Sequence, residues 1–190
     1  MPELPDVQIY VEALTRLLRQ RTIEHVELRS PFLVRSFDPP LQEVVGKEII
    51  DFHRQGKRIV WNLEGGLFLV FHLMIAGRFH WKRAATKPRR KTDLVAFHFA
   101  NGTIMMVTEA GSKKRASLHL VPSRARLADH DPGGLEVTDS DQAAFKEALV
   151  RENHTLKRAL ADPHLFSGIG NAYSDEILHA AGLSPLKWTR

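Results

Sequence analysis

Residues 94–108 read LVAFHFANGTIMMVT and carry the local pattern that decides the fold class. Asn101-Gly102 is the dipeptide most typical of a two-residue β-turn, and apolar, β-branched and aromatic residues flank it on both sides. The segment therefore predicts an antiparallel hairpin with strands at 94–100 and 103–108. A second turn signal, Glu64-Gly65-Gly66, lies between two apolar runs. Alternation and turn signals extend the prediction to further strands at 22–29, 48–53, 58–63 and 67–72.

Helical periodicity brackets this β-rich region. Residues 6–20 form the first predicted helix, with Asp6 as its expected N-cap. The apolar residues of that segment recur at helical spacing on one face, at Val7, Val11, Leu14, Leu17 and Leu18. Further helices are predicted at 142–150, 156–161 and 172–181.

The order of these elements predicts an α+β protein. Short strands joined by tight turns favour an antiparallel β-sandwich or a partly open barrel over a parallel sheet. We expect residues 1–130 to form a β-sandwich domain with an N-terminal helix. Residues 131–140, rich in Asp, Pro and Gly, are expected to form a linker, and residues 141–190 a helical domain.

Charge points to a polyanionic partner. The 190 residues carry a formal net charge of +5, with an isoelectric point of about 9.7. Residues 78–91 contain seven Lys or Arg and no acid, and Lys113-Lys114-Arg115 follows. Such clustering favours nucleic acid, although a solvated basic loop would have the same composition.

Composition also excludes several classes of protein. The chain has no cysteine, which rules out disulfides and thiolate metal sites. No apolar run approaches the roughly 20 residues of a membrane span, and the acidic start is unlike an export signal. We therefore expect a protein without a membrane partner.

The first residues offer a nucleophile. Removal of Met1 would expose the secondary amine of Pro2, and an α-amine titrates near about 8, well below lysine. A neutral amine can attack a sugar C1′ and form an iminium. Glu3 could move protons beside it. From these residues alone, prolines that merely stiffen the entry to a helix are the favoured explanation.

The string Met1-Pro2-Glu3-Leu4-Pro5-Asp6-Val7 resembles the start of the formamidopyrimidine-DNA glycosylase/endonuclease VIII family of base-excision repair enzymes. The resemblance implies that Pro2 is the nucleophile and Glu3 the catalytic acid. Residues 54–58 (RQGKR) resemble the family's lysine hairpin, which makes Lys57 the proton-transfer lysine. Residues 71–77 (FHLMIAG) resemble its H-L-G-M-S-G loop, so Ile75, with Met74 beside it, would fill the gap left by an extruded base.

Residues 157–183 resemble the family's helix–two-turn–helix motif, which grips the phosphates flanking a lesion. Gly168 and Gly170 would let backbone N–H groups approach a phosphate at a helix N-terminus. The resemblance makes Asn171 a phosphate-contacting residue and places Lys157 at a basic position of the first helix. A glycine cap in an ordinary helical hairpin would look similar.

The sequence departs from the family in three places. Glu109-Ala110-Gly111-Ser112-Lys113-Lys114-Arg115-Ala116 replaces the D-P-R-R-F-G loop, leaving Arg115 to act as the arginine without a following phenylalanine. Basic residues including Arg89 and Lys91 replace the K-H-D-H segment, which keeps the charge and loses the histidine. The family's structural zinc would bind a C-terminal finger that is absent here, so we expect neither a metal nor another cofactor in this chain. The end at Arg190 suggests a shortened form.

The resemblance thus implies a bifunctional DNA glycosylase/AP lyase. Its expected partner is double-stranded DNA with an oxidised base or an abasic site, and we expect a monomer in the bacterial cytoplasm, associated with the nucleoid. A non-catalytic DNA-binding protein on the same scaffold is the alternative. A helix-hairpin-helix glycosylase is a third reading, because Gly168-Ile169-Gly170 also suits that loop.

Overall fold

The computed structural model describes residues 1–83 and 91–190, which form two antiparallel four-stranded sheets and a helical half. The first sheet has the order β1-β6-β7-β5 and the second the order β2-β3-β4-β8. The strands are β1 (Ile23–Leu28), β2 (Ile49–Gln55), β3 (Arg58–Leu63), β4 (Leu67–His72), β5 (Gly77–Arg83), β6 (Asp93–Phe99), β7 (Thr103–Glu109) and β8 (Ser117–Val121). The helices are α1 (Leu4–Leu18), α2 (Arg124–Leu127), α3 (Gln142–Leu149), α4 (Leu156–Ala161) and α5 (Asn171–Ala180).

The inward faces of both sheets share one core, as expected of a β-sandwich. Trp61 at its centre packs against Phe71 and Phe97, each with ring centroids 5.0 Å away. The apolar stripe of α1 joins the same core, and Val7, Leu14 and Leu18 are buried in it. The α+β prediction, with a sandwich, an N-terminal helix and a helical second half, is confirmed.

The predicted hairpin is present, with Phe99 opposite Thr103 across Asn101-Gly102. The other predicted strands lie within two residues of their expected limits. The sequence reading missed β5 and β8. Arg78, Lys82 and Arg83 made β5 look like an exposed basic loop, but its Phe79 and Trp81 pack on the core.

The prediction of Asp6 as the N-cap of α1 is wrong. The helix begins at Leu4 and its N-cap is Glu3, because Pro5 is well tolerated in a first turn. Asp6 occupies the third helical position, where its carboxylate accepts the backbone N–H of Glu3 at 3.0 Å. It therefore still holds the helix start, from inside the helix.

The helical half has its own apolar core, which includes Leu156, Leu160, Phe166 and Leu178. Leu135, in the segment expected to be a linker, packs against this core and exchanges backbone hydrogen bonds of 2.9 Å with Leu165 and Ser167. No helix in the described parts of the chain is long and apolar enough to cross a membrane.

Candidate active site and nucleic-acid interface

Glu3 is a buried carboxylate at the N-terminus of α5. Its side chain lies at the junction of the two halves and is 3% exposed. One oxygen, Oε2, accepts the backbone N–H groups of Gly170 at 2.8 Å and Tyr173 at 3.0 Å. The other, Oε1, accepts the N–H of Ala172 at 3.0 Å. These donors are among those that a helix start leaves unpaired, and the helix dipole favours negative charge there.

The glycine loop before α5 is shaped to receive this N-terminus. A Cβ on Gly170 would lie 2.5 Å from Glu3 Oε1, so no larger residue fits while the carboxylate is in place. Gly168 has φ +79, and a Cβ there would lie 2.8 Å from Leu4 Cβ. The Leu4 N–H donates to the Gly168 carbonyl at 2.9 Å. The sequence predicted these glycines as an approach for phosphate, but in the structure they admit the first residues of the chain itself.

Pro2 is buried directly beside this contact, whereas Met1 is 44% exposed. Glu3 and Leu4, which follow Pro2, both form hydrogen bonds with the glycine loop. The ring is therefore at the junction of the sandwich and the helical half.

Lys57 reaches the same loop from the β2–β3 hairpin. Gln55 pairs with Arg58, and Gly56, with φ +57, supplies the turn that presents Lys57. The Lys57 ammonium donates to the Ile169 carbonyl at 2.8 Å. Burial lowers the pKa of Lys57, and the nearby Glu3 carboxylate partly offsets that effect. Pro2, Glu3, Lys57, Gly168 and Gly170 thus lie together.

A cavity of about 110 Å³ lies beside Lys57, which is one of its lining residues. Lys57, Arg58 and His72 line it from the sandwich, and Ser167 and Gly168 from the helical half. Burial, followed by the charges of Arg58 and Lys57, lowers the pKa of His72 to about 4. His72 is therefore a neutral imidazole at physiological pH.

Ile75 projects from a turn built to hold it outward. Its side chain is 62% exposed, and Met74 before it has φ +53, a conformation that favours glycine. The Gly77 N–H donates to the Leu73 carbonyl at 2.9 Å, and a Cβ on Gly77 would lie 2.2 Å from that oxygen. Arg78 closes the turn by donating to the Ile75 carbonyl at 3.1 Å.

Arg115 lies in the loop after β7, near the turn that carries Ile75. Gly77 is the strand partner of Glu109, so the loop after β7 and the Ile75 turn leave the same end of the first sheet. Glu109 is 2% exposed, and its carboxylate accepts the Arg115 N–H at 2.9 and 3.0 Å and the Ala116 N–H at 3.2 Å. These bonds fix the backbone of Arg115, whose side chain remains exposed.

Lys91 lies near the same end of the sheet. It is exposed and is followed by Thr92, whose carbonyl accepts the Glu109 N–H at 2.9 Å. Arg89, the other predicted contact of this segment, lies outside the described residues.

Lys157 and Asn171 form a second group, on the cavity between α4 and α5. Both line a cavity of about 590 Å³ between α4 and α5, together with Arg158 and Leu186. Asn171 is the first residue of α5 and is exposed. The Lys157 ammonium lies 2.7 Å from each carboxylate oxygen of Asp175, an ion pair that sequence reasoning missed.

A further contact missed by sequence reasoning ties the two halves together. Arg54 forms an ion pair with Glu136, and its guanidinium also reaches Ser167 Oγ at 3.3 Å. Ser167 in turn donates to Glu136. Arg54 was part of the quoted RQGKR string, but nothing local indicated partners 82 and 113 residues away.

The zinc implied by the family resemblance has no fitting ligands in the described residues. The chain has no cysteine, and residues 1–83 and 91–190 contain no group of three or more His, Asp or Glu that could hold a metal ion.

Comparison with known proteins gives consistent matches over nearly the whole chain. Residues 1–112 match the model of the formamidopyrimidine-DNA glycosylase N-terminal domain, and residues 133–190 that of the formamidopyrimidine-DNA glycosylase H2TH domain. The formamidopyrimidine-DNA glycosylases of Exiguobacterium sp. and Lactobacillus helveticus are each 31% identical over 98% of this chain. The chain spans 69% and 68% of their lengths.

Solved structures agree. Lactococcus lactis Fpg in complex with an abasic site containing DNA matches with a TM-score of 0.87 and 27% identity, over 98% of this chain and 70% of that one. MutM in complex with carbocyclic 8-oxo-G containing DNA matches with a TM-score of 0.88 and 25% identity, over 99% and 71%. With two family models, 31% identical relatives and the same fold, this chain belongs to the formamidopyrimidine-DNA glycosylase family.

Proposed function

We propose that this protein is a base-excision repair enzyme that removes oxidised bases from double-stranded DNA and then cuts the strand at the abasic site. The observation that carries the proposal is the meeting of three elements. Glu3 of the N-terminus, Lys57 of the hairpin and the glycine loop before α5 are joined by direct hydrogen bonds. Relatives solved with abasic-site and 8-oxo-G DNA support the same substrate class.

The nucleophile is the Pro2 amine, freed by removal of Met1. Its nitrogen lone pair forms a bond to the sugar C1′ while the bond from C1′ to the base breaks. The base leaves with that bonding pair and takes up a proton from solvent. The amine proton passes to Glu3, which returns a proton to the ring oxygen as the sugar opens to the iminium. Both oxygens of Glu3 accept hydrogen bonds in the resting structure, so Glu3 enters the sequence as an acceptor.

Strand cleavage follows from the iminium. Its positive charge makes the C2′ proton acidic, and loss of that proton expels the 3′ phosphate oxygen by β-elimination. Lys57 assists this proton transfer. The lowered pKa of its buried ammonium supports the role, because more of the amine is neutral and able to accept a proton.

The exposed cationic and apolar side chains supply DNA binding. Lys157 and Asn171 hold backbone phosphate on one side. Ile75 enters the stack when the damaged nucleotide is rotated out, and Arg115 and Lys91 bind the strands beside it. Damaged pairs cost less to open, which contributes to selectivity.

Borohydride trapping tests the proposal. Protein shown by mass spectrometry to lack Met1 is incubated with abasic-site duplex and borohydride, which reduces an iminium to a stable adduct. We expect a covalent complex mapped to Pro2, weakened or altered by Pro2→Gly. Pro5→Ala is the control, since it changes the stiffness of the same segment and leaves the amine intact.

A non-catalytic DNA-binding protein on this scaffold is the second candidate. It is favoured by the loop at 109–116, which has no phenylalanine to follow Arg115. Duplex binding without any adduct would support it. An adduct mapped to Lys57 or Lys157 would instead indicate a lysine nucleophile.

A further inference from the structure

Lys157, the lysine proposed to bind phosphate in the helical half, already forms an ion pair within the protein. Lys157 lies in the first turn of α4, and its ammonium contacts both carboxylate oxygens of Asp175 at 2.7 Å. Both side chains reach solvent, with 37% and 54% exposed. The carboxylate therefore stands where an incoming anion would approach this ammonium.

Asp175 shares a face of α5 with Asn171, since residues four apart lie one above the other on a helix. Asn171 and Lys157 line the same cavity of about 590 Å³, and Asp175 forms an ion pair with that lysine. The N-terminus of α5 already holds the buried Glu3 carboxylate, which accepts the N–H groups of Gly170, Ala172 and Tyr173. Asp175 is the exposed acid that contacts Lys157.

Arg158 provides a contrast within the same cavity. It is the residue after Lys157, it is exposed, and it has no ion pair with any acid in residues 1–83 or 91–190. Of these two neighbouring cations, one is neutralised and the other is not. Overall charge alone would not produce this difference; the position of Asp175 does.

We propose that Asp175 is a further residue of the phosphate site, the counter-ion that a DNA phosphate must displace from Lys157. This inference rests on the proposed function. Each binding event exchanges an ion pair inside the protein for one with DNA, which lowers affinity for DNA and speeds release. We expect its loss to raise affinity about two- to fivefold, which corresponds to about 0.4–1 kcal/mol and lies within the range of an exposed ion pair.

The test compares two substitutions that remove the same charge from neighbouring positions of α5. Asp175→Asn releases Lys157, whereas Glu176→Gln removes an exposed carboxylate that makes no ion pair in the described residues. Affinity is measured by fluorescence anisotropy on a duplex containing a tetrahydrofuran abasic-site analogue. We expect Asp175→Asn to bind about two- to fivefold more tightly than Glu176→Gln, with a smaller difference at raised salt.

Lys157→Ala completes a double-mutant cycle. In that background Asp175→Asn is expected to match Glu176→Gln, because the lysine that Asp175 neutralises is gone. Equal affinities for the two single variants would overturn the inference, and so would weaker binding by Asp175→Asn, which would mean that the acid orients Lys157 for DNA. Absence of duplex binding by the unmodified protein would instead overturn the proposed function.

Discussion

Glu3→Gln provides the sharpest test of how the site is assembled, because it changes one buried atom and almost no volume. The carboxylate accepts two N–H groups at Oε2, from Gly170 and Tyr173, and one at Oε1, from Ala172. The glutamine oxygen can keep the first two. Its NH2 group must then face the Ala172 N–H, so two donors meet without an acceptor.

The expected loss of stability follows from this count. A buried donor left without a partner costs about 1–3 kcal/mol. Removing the negative charge from the N-terminus of α5 adds about 0.3–1 kcal/mol. We therefore expect Glu3→Gln to lower the free energy of unfolding by about 1–4 kcal/mol.

Urea unfolding at neutral pH measures this free energy. If the slope of the free energy against urea concentration is the same for both proteins, the same unfolding transition is being compared. Glu12→Gln on the exposed face of α1 is the matched control, expected to change stability by less than about 0.5 kcal/mol. If Glu3→Gln were no more destabilising than Glu12→Gln, Glu3 would not be the group that joins the N-terminus to α5.

Three further expectations concern other parts of the site. Gly77→Ala should lower the free energy of unfolding, measured with urea, by about 3 kcal/mol, because its Cβ would lie 2.2 Å from the Leu73 carbonyl oxygen. Gly111→Ala is the control: its nearest such contact is 3.6 Å, so the free energy of unfolding should change little. His72 has a pKa of about 4 in the folded protein against 6.5 ordinarily, so the unfolded chain binds more protons between these values and stability falls as the pH drops from 6.5 to 4. That contribution is about 3 kcal/mol, and a His72→Gln variant with an equally steep acid loss would contradict it. Lys57→Gln should slow strand cleavage of abasic-site duplex about a hundredfold, measured on a denaturing gel. Formation of the borohydride adduct at Pro2 should be less affected. Equal losses in cleavage and in adduct formation would show that Lys57 does not act specifically in the elimination step.

Local pattern was sufficient wherever local interactions decide the structure. The Asn101-Gly102 turn and the limits of β3, β4 and α4 agree with the predictions because each depends on residues a few positions apart. Where a local pattern had two meanings, the prediction failed or was missing. The basic residues of β5 indicated a loop, while pairing with β7 made it an edge strand.

The sequence by itself determined which chemical groups are available, and where the turns and helices lie along the chain. It also placed an acid, a lysine and two glycines in strings that resemble one family of repair enzymes. Only the tertiary structure decided which of these groups meet. Glu3 and Gly170 are 167 residues apart, and Lys57 bonds to a carbonyl 112 residues away. Their distances depend on how the end of a β-sandwich packs against a helical half, and no periodicity within either segment encodes that packing.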